Sequence, residues 1–346
     1  MRVPSPPTAL LAGFFAAALV LGAAIMMNRK RASGIGLAFV LVCAALIVIY
    51  PFSARFQRGR LEVTVLDVGQ GDSIFVTFPD GRTMLVDAGG LPGANYVRGM
   101  RPGLDVGEDV VSPFLWSRGL KRIDTIVMTH AHEDHLGGMP AVLRNFRVGE
   151  LWVGRDEDAA GYRHVLAEAK AKGVAVIHRL RGEHFDWAGV RVSVLWPDSS
   201  DPARARNDDS VVLRLQDGQD SFLLTGDIER AVERSILADG DELAAKFLKV
   251  PHHGGRTSST PAFLEAVHPV VAAISVGEAN AYGDPNPETT ERILAQGTRL
   301  FRTDRDGAVT ITTDGQSMNV HSFLSCANPC SELSSSAASP AEGPAF

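Results

Sequence analysis

Seven consecutive residues, Thr129-His130-Ala131-His132-Glu133-Asp134-His135, hold most of the candidate chemistry in this chain of 346 residues. Three are histidines, the commonest neutral metal ligands near physiological pH. His130 and His132 alternate by two, so on near-extended backbone they point the same way and can hold one ion. Asp134 and His135 fall where the chain turns into a helix and can hold a second. Mixed histidine and aspartate donors suit zinc, with manganese or iron as alternatives. A solvated polar loop rarely gathers so many ligand types, so a two-metal site is the expectation.

Strands must aim these side chains. The run follows the apolar stretch 123–128, a buried-strand pattern, and precedes Leu136-Gly137-Gly138 and a helical pattern over 139–146. It therefore leaves the carboxyl end of a strand, where open α/β sheets place their sites. Three further apolar strands end in the same manner. Residues 221–224 lead through Thr225-Gly226 to Asp227, the candidate bridge between two ions. Residues 247–250 lead to Pro251-His252-His253-Gly254. One of those histidines should close the second metal site, with His253 preferred; His252 would then face substrate as acid or donor. Residues 84–86 lead to Asp87-Ala88-Gly89, where Asp87 is expected to orient a liganding histidine rather than bind metal.

In this order, Val86-Asp87-Ala88-Gly89, the HxHxDH run, Thr225-Gly226-Asp227 and His252-His253-Gly254 resemble the metallo-β-lactamase-fold hydrolases. Within them the chain is most similar to the hydrolase domain of ComEC-type DNA-uptake (competence) proteins. That similarity rests on Leu66-Asp67-Val68-Gly69-Gln70-Gly71-Asp72-Ser73, Asn207-Asp208-Asp209-Ser210, Thr257-Ser258-Ser259, Arg302-Thr303-Asp304 and Asp306-Gly307, and it spans residues 61–313. It implies an α/β, four-layer αββα sandwich of two mixed sheets. It also implies two divalent ions, zinc or manganese, that activate water for hydrolysis.

Three departures stand out. His132 occupies a position where ComEC-type domains often carry aspartate. The usual third histidine for the first metal is missing; either Asn207 supplies an oxygen ligand or that metal keeps an extra water. Asp284, in Tyr282-Gly283-Asp284-Pro285, replaces a frequent histidine. Candidate substrate contacts are Asn207, Ser210, Arg256 and Asp284. Candidate proton carriers are Asp134, His252, Asp67 and Asp72. Glu133 should be solvated. His164, His178, His184, His268 and His321 read as surface or satisfied core residues, with a loop over the site as the alternative for His184, beside Phe185 and Trp187.

Residues 8–27 and 33–54 are uncharged apolar runs, each long enough to span a bilayer, and Asn28-Arg29-Lys30-Arg31 forms a basic turn between them. Residues 1–60 are therefore expected to be a two-helix transmembrane hairpin in the cell (inner) membrane. The turn argues for a cytoplasmic tip and an outer hydrolase domain, although Arg55, Arg58 and Arg60 pull the other way. The hydrolase domain should occupy 61–323, and the Ser/Ala/Pro-rich tail 324–346 should be disordered. Cys326 and Cys330 stand as a small disulfide, an incomplete C-x3-C zinc half-site or two free thiols; Cys43 is a packing residue of the second span.

The net charge is −6, with seven basic and no acidic side chains in residues 1–60, which leaves −13 on the remainder. That is a poor footprint for non-specific nucleic-acid binding. A membrane-anchored phosphodiesterase acting on DNA or another phosphodiester is the leading expectation. An accessory non-catalytic module of an uptake or envelope complex, or a hydrolase of a small envelope ester, is the alternative. No nucleotide cofactor is expected, and the oligomeric state is left open. Strands are expected at 61–67, 72–78, 83–87, 124–129, 174–178, 190–196, 210–216, 221–226, 246–250, 270–276, 299–302 and 308–313. Helices are expected at 108–118, 138–146, 160–172, 229–238, 261–267 and 287–296, with Thr260-Pro261 and Asn286-Pro287 as helix starts.

Overall fold

A computed structural model describes residues 4–91, 103–199, 206–324 and 333–334. Helices α1 (Thr8–Met26) and α2 (Lys30–Ile49) form an antiparallel hairpin, and both are long and apolar enough to cross a membrane. Asn28 makes the tight turn in the left-handed region at φ 54°, which asparagine tolerates better than most residues. The second helix ends five residues earlier than 54, at Ile49. Pro51 is the reason: the residue before a proline disfavours helical geometry, and Tyr50 turns left-handed instead. The hairpin is anchored to the domain by Lys121, whose ammonium donates to the Ile49 carbonyl, and by the Ser5 N–H donating to Trp116 O at 3.3 Å.

The domain begins with strands β1 (Leu61–Val65), β2 (Ile74–Thr77), β3 (Thr83–Val86), β4 (Arg122–Val127), β5 (Arg147–Val153) and β6 (Ala175–His178). A second sheet follows, built from β7 (His184–Trp187), β8 (Val190–Trp196), β9 (Val212–Asp217), β10 (Asp220–Leu224), β11 (Phe247–Lys249), β12 (Val271–Ile274) and β13 (Arg299–Arg302). The chain then returns to the first sheet with β14 (Val309–Thr313), β15 (Ser317–Ser322) and β16 (Leu333–Ser334). The sheet orders are β16-β15-β14-β1-β2-β3-β4-β5-β6 and β13-β12-β11-β10-β9-β8-β7. Strands β3 to β6 run parallel, as do β10 to β13, so their carboxyl ends share one edge of each sheet.

Three apolar clusters mark three interfaces between four layers. Val63, Val76, Trp152, Phe222 and Phe247 fill the space between the sheets. Leu85, Ile126, Leu143 and Val165 join the first sheet to α3 (Ser112–Ser117), α5 (Met139–Asn145) and α6 (Ala160–Ala171). The one-turn helix α4 (Glu133–Leu136) lies in the candidate ligand run. Leu223, Leu248, Ile236 and Phe263 join the second sheet to α7 (Arg230–Ala238), α8 (Pro261–Val267) and α9 (Pro287–Ala295), and the last helix is the short α10 (Thr303–Asp306). Strand alternation sends neighbours to opposite faces: Phe222 and Leu224 point into the sandwich, and Leu223 points to the helices. This is the αββα arrangement expected from the resemblance.

Strands β5, β7, β15 and β16 were not expected, the last lying in the tail expected to be disordered. Glu150 and Gly149 interrupt the apolar run of β5, yet it pairs along its length with β4 and β6. His184 lies on the edge strand β7 rather than in an overhanging loop. Both expected helix starts are capped: Thr260 accepts from Phe263 N at 3.4 Å and Asn286 from Glu288 N at 3.0 Å. Cys326, Cys330 and most of the tail lie outside the described residues; Leu333–Ser334 pairs with β15.

Candidate metal centre

Beyond Val86 the chain turns at Asp87, which is left-handed at φ 58°. Its buried carboxylate organises the loop after β4. Oδ1 accepts from the Thr129 N–H at 2.9 Å, and Oδ2 accepts from the Thr129 hydroxyl at 2.6 Å and from His135 Nδ1 at 2.8 Å. His135 thus presents Nε2 to the centre, 3.0 Å from Asp227 Oδ2. The Thr129 hydroxyl proton is committed to Asp87, so its oxygen accepts from His130 Nδ1 at 3.1 Å; Ser210 Oγ lies 3.2 Å from the same nitrogen. His130 Nε2 is left facing the centre, buried and without a hydrogen bond.

Asp227 follows Gly226, where φ is +53° and a side chain would meet the Ser210 Cβ and Oγ at 2.8 Å. Glycine is needed there on both counts. The Asp227 N–H donates to Ser210 Oγ at 3.0 Å. Its Oδ2 lies 3.2 Å from His253 Nε2, and the same nitrogen lies 3.4 Å from Asp134 Oδ2. His253 donates from Nδ1 to Ser275 O at 2.9 Å, while Nε2 makes no well-aligned hydrogen bond. Ligand atoms of His130, His135 and Asp227 lie within 4.8 Å of one another, as do those of Asp134, His135 and His253. The His132 ring sits 4.6 Å from that of His130.

The electrostatics demand positive charge here. Burial and the neighbouring His135 hold His130 well below the usual imidazole range, so it stays neutral. Burial also disfavours charge on His135, but Asp227 and Asp87 outweigh it and raise its pKa well above normal. For His253 the same contest, with Asp227 and Asp134, ends at about 10. Asp134 and Asp227 are pushed down against their burial by these imidazoles, with Lys249 adding to the effect on Asp227. Two buried Nε2 atoms without a well-aligned hydrogen bond, gathered with carboxylates, are a donor set that fits divalent cations.

In front of the centre opens a cavity of about 340 Å³, lined by Gln70, His132, Glu133, Asp134, Asn207, Asp227, His252, His253, Tyr282 and Asp284. Here His252 is half-buried. Its Nδ1 lies 3.2 Å from Glu229 Oε1 and 3.2 Å from Thr257 Oγ1. The Asn207 amide lies 3.2 Å from His252 Nε2 and donates to Glu229 Oε1, also at 3.2 Å. Glu229 therefore fixes both cavity-facing polar groups.

Four expected sites belong elsewhere. Ser210, expected to contact substrate, is fully buried, outside the cavity lining, and supports His130 and Asp227. Asp72 is 1% exposed and sits behind the centre, paired with Lys249. Asp67 is exposed and caps Gly69 N at 3.2 Å, away from the cavity lining. Arg256 is exposed outside that lining, its carbonyl accepting from Arg230. Glu133 is exposed, as expected, at the rim of the cavity.

Lys249 escaped the sequence reading. Its fully buried ammonium pairs with Asp72 Oδ2, donates to Gly226 O at 3.2 Å and lies 3.5 Å from Asp227 Oδ1. Burial opposes its charge, but Asp72 and Asp227 raise its pKa above the usual lysine value. The available signal was a lysine at the end of a strand whose other residues are apolar, in step with the inward-facing Phe247.

The loop 67–72 wedges against the candidate ligand run. Gly71, at φ +125°, leaves room for Asp134 O, which would meet a Cβ at 2.1 Å. Asp72 N donates to that same oxygen at 3.1 Å, and Ser275 donates to Gly71 O at 2.6 Å.

The chain is similar to ComE operon protein 3 of Bacillus subtilis, 32% identical over 275 residues that cover 77% of this chain and 34% of that protein. It is also similar to competence protein ComA of Neisseria gonorrhoeae, 32% identical over 295 residues covering 84% and 38% respectively. The chain thus spans about a third of the length of these relatives. The solved metallo-beta-lactamase fold protein YhfI of Bacillus subtilis is 12% identical, with a TM-score of 0.46 over 70% of this chain and 96% of that one. The family model described as the metallo-beta-lactamase superfamily matches residues 66–278, more than half of the chain and every residue of the centre just described, and the chain belongs to that superfamily.

Proposed function

We propose that this protein is a membrane-anchored, metal-dependent phosphodiesterase. The observation that carries the reading is the gathering of His130 Nε2 beside Asp227, and of His253 Nε2 beside Asp227 and Asp134, both nitrogens buried and without a well-aligned hydrogen bond, beneath an open cavity. His130, His132 and Asp227, with Asn207 nearby, would hold one divalent ion; Asp134, His135, His253 and Asp227 would hold the other, zinc being favoured by the donors. Bound together, two such ions supply charge stabilisation to a phosphoryl oxygen and an acidified water nucleophile. The remaining work falls to the chain. Asp87 and Ser210 hold the imidazoles in the presenting tautomer. His252, steadied by Glu229, is placed to pass a proton to the leaving oxygen. Asn207 and Tyr282 would contact the substrate.

The likeness to a competence protein favours DNA as the diester; the apolar hairpin would span the membrane, and its basic turn Arg29-Lys30-Arg31 favours a domain on the outer face. The charge of −13 on residues 61–346 means that contact with a polyanion must be confined to the cavity, where metal ions offset it. The test is hydrolysis of an activated aryl phosphodiester by the full chain, with zinc or manganese added, beside His130→Ala and Asp227→Ala. Both variants should lose activity by at least about a hundredfold and bind less metal. Undiminished turnover in Asp227→Ala would refute the site; no turnover in a metal-loaded wild type would refute the phosphodiesterase.

A further inference from the structure

We propose that the cleft at the foot of the α1–α2 hairpin binds the headgroup of an anionic phospholipid, an inference that rests on the membrane-spanning reading above. The cleft encloses about 950 Å³ between the ends of the hairpin and the underside of the domain. Pro4, Val48 and Ile49 contribute from the hairpin side, and Trp116, Phe146 and Val174 from the domain. Its charged lining is of one sign: Lys121, Arg122, Arg144, Arg147 and Lys172, with no acidic residue. That reverses the chain around it: residues 61–346 carry a net −13.

The neutralisation of these five is incomplete. Arg122 pairs with Asp124 at 3.0 Å, and Arg144 reaches Asp105 and Glu168 only at 3.9 and 3.8 Å. Lys121 is tied to the last carbonyl of α2. Arg147 and Lys172 are exposed and make no ion pair among the described residues. Position completes the case. Ile49 ends α2, so in a spanning hairpin the cleft opens where hydrocarbon gives way to headgroups. Trp116, stacked on Phe146 at 5.5 Å, supplies an aromatic at the same level. A soluble phosphate would use only the basic rim; the wall of Val48, Ile49 and Trp116 matches the glycerol and upper acyl chains of a lipid. The headgroup phosphate would sit on Arg147 and Lys172.

The experiment uses the full chain in neutral detergent, titrated with short-chain phosphatidylglycerol, phosphatidylcholine or glycerol 1-phosphate, with bound ligand read by intact-complex mass spectrometry. Phosphatidylglycerol should bind at least about fivefold more tightly than phosphatidylcholine, the value of roughly one basic contact at a membrane surface. Arg147→Gln with Lys172→Gln should weaken it about 25-fold, at roughly fivefold per charge. Arg234→Gln, an exposed control on α7, should not. Equal binding of the two lipids, an unaffected double variant, or glycerol 1-phosphate binding as tightly as the lipid would each overturn the proposal. A parallel arm reconstitutes the chain into pure phosphatidylcholine vesicles and tests resistance to alkaline extraction. Failure to insert removes the membrane reading and the cleft with it, whereas insertion without phosphatidylglycerol selectivity removes the cleft alone.

Discussion

The histidines of the centre differ in what holds them, and this decides how each behaves. His130 is fixed by two hydroxyls and stays neutral, whereas His135 and His253 lie against carboxylates that draw protons onto them when no other cation is present. Lys249 supplies a permanent positive charge from behind. Replacing it with methionine leaves Asp72 and Asp227 without their buried partner, and unfolding by denaturant should show a loss of about 3–5 kcal/mol. Removing both ends of the pair, with Lys249→Met and Asp72→Leu, should recover much of that loss; an equal or greater loss in the double variant would sink the pairing account. Glu157 offers a second test. It is 7% exposed, accepts from Ala131 N between His130 and His132, and burial followed by the nearby Asp209 pushes its pKa up to about 8. The folded state therefore binds this proton more tightly than the unfolded chain, whose value is near 4.5. Stability from this group is complete below pH 4.5 and declines as pH rises towards about 8. Glu157→Gln should flatten the melting temperature between pH 5 and pH 8.5; an unchanged slope would remove Glu157 as its source.

At the scale of elements, the centre is assembled from the carboxyl ends of β3, β4, β10 and β11, which parallel pairing brings to one edge of each sheet. The loop 67–72 buttresses that edge, with Gln70 alone reaching the cavity lining. Gly71→Ala drives a methyl into Asp134 O and places alanine at φ +125°. The strain, about 1–3 kcal/mol, falls on the segment that presents Asp134 and His135. Zinc affinity by calorimetry should drop at least about tenfold while the far-ultraviolet circular dichroism spectrum is retained. Unaltered affinity would mean that the ligand run does not depend on this buttress. Asp67 and Asp72, expected as proton carriers, are placed away from the cavity lining: Asp67 caps Gly69 N at the surface and Asp72 pairs with Lys249.

For the whole molecule, the hairpin and the domain meet at one end, with the basic tip Arg29-Lys30-Arg31 at the far end of the hairpin. The outer-face orientation places that tip in the cytoplasm. Protease added to intact spheroplasts should then digest the domain and spare the hairpin. Protection until the membrane is permeabilised would reverse the orientation.

The sequence by itself determined the donor types, their order along the chain, the alternation of strands and helices and the apolar hairpin; the αββα class was implied by the family that its motifs resemble. All but that class are local properties: strand and helix periods, ligand spacing and runs of hydropathy are all read from near neighbours. It also marked Asp87 as the residue to orient a histidine, and the structure brings Asp87 to His135. Only the tertiary structure decided which nitrogen each histidine presents, that Ser210 supports the centre from within, that Lys249 and Asp72 pair behind it, and that five scattered basic residues gather at the foot of the hairpin. Those outcomes join residues tens to hundreds of positions apart. Burial and hydrogen-bond satisfaction, not sequence spacing, choose their partners, and they do so only after the two sheets have closed on each other.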